Sequence, residues 1–104
     1  MTLNEWHAQA SDLEKHVHRL ACNPRDVRAK REMLAALDRN EWMWRVPAAN
    51  LSPQLDVELK SAKWWAQDLT QYDARGPGMG MVGAVLSLKR HLLAIMGELK
   101  RLQA

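Results

Sequence analysis

Glu14, His18 and Cys22 stand four residues apart, so a helix carrying them presents a carboxylate, an imidazole and a thiol on one face. These are zinc-ligand types. A structural zinc takes four ligands, and no second His or Cys cluster accompanies this one. His16 points to another side of the same helix, and His7 and His91 stand alone. The expectation is therefore no metal and no cofactor, with His18 a partly exposed histidine beside a small buried thiol. Ser11, Ser52, Ser61 and Ser87 belong to no motif joining a nucleophile to a base and an orienting group. Asp12 with His16 and Glu14 with His18 are ordinary surface pairs on a helix. The chain reads as non-enzymatic unless a pocket brings His18, Cys22 and a distant acid together.

Gly78, Gly80 and Gly83 have the spacing of a dinucleotide-binding fingerprint. That motif works only where a strand feeds the tight turn and the pyrophosphate rests on helix amides. Here the preceding residues 66–74 read as helix, and no βαβ unit exists. The glycines are expected to form a turn between helices, with Gly83 already inside the last one.

The elements that carry these side chains are helical. Leu3, Trp6, Ala10, Leu13, Val17 and Leu20 step by three and four, and Val85, Leu88, Leu92, Ile95, Leu99 and Leu102 repeat the rhythm. Such a seam must be hidden from water, which predicts an all-α, single-domain antiparallel four-helix bundle spanning residues 1–104. Its helices are expected at about 3–21, 24–45, 53–73 and 81–102. Thr2 followed by Glu5 matches a capping box for the first helix. Asn23 before Pro24 and Ser52 before Pro53 supply cap-then-proline starts for the second and third. Gly76, Pro77, Gly78 and Gly80 argue against helix over 75–80.

At 104 residues and 11.9 kDa, 47% hydrophobic and 26% charged, the composition is that of one globular domain. No uninterrupted apolar run reaches membrane-spanning length, and no secretion signal opens the chain. With Cys22 the sole cysteine, a cytoplasmic location is expected. The net charge of +3 is uneven: five basic groups against one acid in residues 74–104, but two against four in 47–73. Helices of opposite balance attract one another across their flanks without any external anion. The alternative is a phosphate-binding strip built from Arg25, Arg28, Lys30 and Arg31 on helix two with Lys89, Arg90, Lys100 and Arg101 on helix four, provided the two helices are neighbours.

Five tryptophans, one tyrosine and no phenylalanine carry the rest of the reading. On helix three, Leu55, Leu59, Ala62, Trp65, Ala66, Leu69 and Tyr72 gather in one arc, with Trp64 and Val57 opposite. On helix two, Trp42 and Met43 turn away from the face shared by Val27, Met33, Leu34, Leu37 and Trp44. Aromatics outside a core invite cover by a partner. Helix four has an apolar arc wider than a peripheral helix needs, extended by Leu86 and Leu93, with Gly83, Ser87, Ala94 and Gly97 as a band of small residues. The expected function is a protein-protein interaction module: a small adaptor, inhibitor or regulatory subunit. Trp42, Met43, Val57 and Trp64 are expected to touch an unidentified protein partner, and Leu86, Leu93 and Gly97 a second copy in a homodimer. The alternative is a basic helical nucleic-acid-binding protein.

Overall fold

The computed structural model describes residues 2–70 and 79–104, with side chains from residue 82 onward in the second span. Four helices account for most of it: α1 (Leu3–Cys22), α2 (Val27–Arg39), α3 (Pro53–Thr70) and α4 (Met79–Gln103), with a 3-10 turn at Glu41–Trp44. The all-α bundle expected from the apolar rhythm is what forms. The expected turn at Gly76, Pro77 and Gly78, the Gly78 end of the glycine spacing, and the last residues of the expected third helix lie outside the described residues.

Local chemistry sets the helix boundaries. The Thr2 hydroxyl accepts from the Glu5 amide at 3.1 Å and donates to the Glu5 carboxylate at 3.2 Å, so the carboxylate returns to the hydroxyl and not to a backbone amide. α2 begins at Val27 and not at Pro24, because Asp26 is the better cap. Its carboxylate accepts from the amides of Arg28 and Ala29 at 2.9 and 3.2 Å, whereas the Asn23 amide closes the last turn of α1 on the Arg19 carbonyl. Ser52 caps α3 as expected, its hydroxyl accepting from the Leu55 amide at 3.2 Å. α4 starts at Met79, so Gly80 lies inside the helix and not in the preceding turn.

The expected second helix ends early. At Asn40 the side-chain amide donates to the Ala36 carbonyl at 2.9 Å and to Asp12 Oδ2 on α1 at 2.6 Å, and the chain tightens into the 3-10 turn. This break re-aims the side chains beyond it. Met43, expected on a partner-facing surface, is fully buried; ahead of the break, at the first residue of α2, Val27, expected inward, is exposed. Trp44 is half-buried against the core and Trp42 faces solvent.

The helices pack by their seams. α4 lies against both α1 and α3, α2 packs on α1, and the 3-10 turn touches α1, α2 and α3. Cross-helix bonds show the directions. Lys89 reaches His18 while Gln103 reaches Asn4; His91 reaches Glu58 while Glu98 reaches Ser52; Arg39 reaches Asp12 while Arg19 reaches Glu32. In each pair one partner climbs as the other descends, so every packed pair is antiparallel. Trp6, Leu13, Val17 and Leu20 meet Val85, Leu88, Leu92, Ile95 and Leu99 in one cluster with Leu55, Leu59 and Met43. The molecule measures 41 × 20 × 19 Å, its length set by α4.

Candidate interaction surface

His18 and Cys22 meet as their spacing requires, with Sγ 3.6 Å from Nε2. The third member is a cation: Lys89 Nζ on α4 lies 2.8 Å from His18 Nδ1. An ammonium only donates, so Nδ1 is an acceptor and the proton of a neutral imidazole sits on Nε2, facing sulfur. Cys22 is exposed, where a small buried thiol was expected. Among the described residues no group of three His, Cys, Asp or Glu side chains is arranged to hold a metal ion.

Several of the polar contacts between helices are shaped by burial and charge. Asp12 on α1 accepts from Asn40, and from Arg39 Nε and a terminal guanidinium nitrogen at 3.1 and 2.8 Å. Burial pushes the Asp12 carboxyl up, but the hydrogen bonds from Asn40 and Arg39 and the guanidinium charge outweigh it, leaving it below the ordinary aspartate value. Ser52 donates to Glu98 at 2.9 Å, and Arg101 also pairs with Glu98. The Arg101 hydrogen bonds, helped by Ser52, hold the Glu98 carboxyl below its usual value against some burial. His91 Nδ1 and Glu58 Oε2 lie 2.6 Å apart between α3 and α4, each side chain 17% exposed.

The basic residues fall at both ends of the bundle, with Lys89 reaching His18 near the C-terminal end of α1. α2 and α4 pack on α1 without a comparable contact with each other. Arg25, Arg28, Lys30 and Arg31 begin beyond the C-terminal end of α1, whereas Lys100 and Arg101 lie beside its N-terminal end, near the Asn4–Gln103 bond. Arg28 is paired with Glu32 at 3.3 Å, Arg101 with Glu98, and Lys89 with His18. Arg25, Arg31, Arg90 and Lys100 are exposed.

The apolar candidates divide by element. Trp42 is 63% exposed on the 3-10 turn, and Val57 and Trp64 are 57% and 58% exposed two turns apart on α3. Trp64 stands edge-on to the half-buried Trp65, with centroids 4.7 Å apart and planes at 89°. Leu86 and Leu93 are 53% and 48% exposed two turns apart on α4, with Gly97 exposed beyond them. Met43 belongs to the core and leaves the list.

One further concavity was not legible in the sequence. The C-terminal end of α2, the 3-10 turn and α3 form a cleft of about 220 Å³ lined by Leu37, Trp44 and Ala66 together with Glu41, Arg45 and Lys63. Its volume falls below the roughly 300–1,000 Å³ of ordinary ligand pockets. It exists because the chain breaks helix at Asn40, and the only sequence signal for that was an asparagine in a run otherwise readable as helix. No described helix is long and apolar enough to cross a membrane. No family model, curated protein or solved structure matches the chain.

Proposed function

We propose that this chain is a non-enzymatic protein-interaction module, a small adaptor, inhibitor or regulatory subunit, that receives its partner on exposed apolar helix faces. One observation carries the reading: the core closes with Trp6, Met33, Met43, Leu55 and the α4 stripe buried, yet Val57 with Trp64 and Leu86 with Leu93 remain at least 48% exposed as same-face pairs. Large apolar groups that the fold does not use are what a docking surface supplies, and tryptophan is enriched among the residues that dominate interface energetics. A single exposed cysteine suits work in a reducing compartment such as the cytoplasm.

The phosphate-strip reading has less support, because it needs helices two and four as neighbours, whereas α2 packs on α1, and α4 on α1 and α3. The test is capture from the native cell with the chain as bait, comparing wild type with Val57→Ser/Trp64→Ala. The double variant is expected to keep its helical circular dichroism and lose the specific partner. Retention of the same partner by the variant removes the α3 face. Capture of nucleic acid in place of protein, falling steeply with salt, replaces the reading altogether.

A further inference from the structure

We propose that the outward side of α4 is a docking seam for an acidic amphipathic helix. Gly83, Leu86, Arg90, Leu93, Gly97 and Lys100 step along α4 by three, four, three, four and three, the spacing of a helix–helix seam. All six are exposed. Val85, Leu88, Leu92, Ile95 and Leu99 follow the same rhythm on the opposite side, where α1 and α3 bury them. α4 thus carries two seams, and the chain itself covers one.

Shape and charge say what the other receives. A Cβ added at Gly83 or Gly97 meets nothing within 4 Å, so no packing inside the chain calls for glycine at either position. Glycine weakens a helix interior, and its use here makes sense where another backbone comes close, as between two helices crossing at small residues. Leu86 and Leu93 supply the apolar contacts of such a crossing. Arg90 and Lys100 have no ion pair among the described residues, and Lys89 and Arg101 flank them. The one acid in α4, Glu98, is committed to Ser52 and Arg101. A partner helix with leucines facing the seam and glutamates beside it would satisfy both leucines and cations.

A second copy of this chain fits less well, because it would bring a seam with the same cations and no free acid. A lipid surface finds only two leucines to take up, set among glycines. The inference rests on the chain being an interaction module and names the partner chemistry of one face, independently of Val57 and Trp64.

The probe is a synthetic, dye-labelled amphipathic helix with Leu at its facing positions and Glu beside them, compared by anisotropy with the same peptide carrying Lys for each Glu. The full chain is expected to bind the Glu peptide at least about tenfold more tightly than the Lys peptide, with the difference shrinking in high salt. Arg90→Glu/Lys100→Glu is expected to reverse the preference. Gly97→Leu, at an exposed position whose added Cβ meets nothing within 4 Å, is expected to weaken the Glu peptide about tenfold or more by holding the backbones apart. Circular dichroism of both variants verifies that they remain helical. Equal binding of the two peptides, or a Gly97→Leu variant that binds as wild type does, overturns the seam. So does a dimer in light scattering that Gly97→Leu dissociates, which gives the face to a second copy. Sedimentation with phosphatidylserine vesicles but no peptide binding overturns it in favour of a membrane. If the Glu peptide fails while capture dependent on Val57 and Trp64 persists, the seam falls and the module reading stands; if both fail, both fall.

Discussion

Asp12 shows how a single side chain couples two helices to pH. Its carboxylate receives Asn40 and Arg39 from the end of α2, and it titrates below its ordinary value as a result. A carboxyl whose value is lowered by folding adds stability while it is ionised in both states, and that contribution disappears as the pH falls through the folded-state value. Stability is therefore expected to be level near neutrality and to decline from about pH 4 downward. Because the side chain is 37% exposed and screened, the share owed to Asp12 is about 1 kcal/mol or less. Urea titrations of wild type and Asp12→Asn at pH 6 and pH 3 measure it; the variant is expected to be the less stable at pH 6, with a smaller gap at pH 3. An unchanged gap between the two pH values would remove the clasp from the account. In the sequence Asp12 was legible only as the partner of His16, four residues on. Its principal partners lie on α2, which no local spacing reveals.

At the scale of elements, capping and seams were the readable features. Thr2 and Ser52 cap the helices they were expected to cap, since a hydroxyl three residues before a free amide is a local arrangement. α2 departs from its expected span at both ends, for different reasons. At its start two caps competed, and the Asp26 carboxylate won with two amides. At its end, Asn40 left the helix to reach α1, a tertiary contact, and the 3-10 turn that follows swung Met43 inward and left Trp42 outside. The glycines of α4 yield an expectation at this scale. With open space around an added Cβ, Gly83→Ala and Gly97→Ala are each expected to stabilise the chain by roughly 0.5–1 kcal/mol. A shift of the urea midpoint to higher concentration at constant slope is the confirming result; a lower midpoint would mean that the glycines serve the fold after all.

For the whole molecule, one apolar cluster draws on every helix and on the 3-10 turn, so no part can open without exposing the rest. Unfolding is expected to be a single cooperative transition, with far-ultraviolet circular dichroism and tryptophan fluorescence coinciding. Leu92→Ala, at a fully buried position of α4, is expected to lower stability by about 2–5 kcal/mol and to move both signals together. Separate transitions would show that α2, which packs on α1 alone among the helices, unfolds on its own. The sequence by itself determined that the chain is helical, where α1 and α3 start, and which stripes of α1 and α4 are dry. Those properties follow from spacing and capping within a few residues. The tertiary structure decided that α2 stops at Arg39, that Met43 is core, and that Lys89 reaches the Cys22–His18 pair. Each of these depends on which helices become neighbours. That choice is made by the joint burial of all the seams, and no single stretch of sequence contains it.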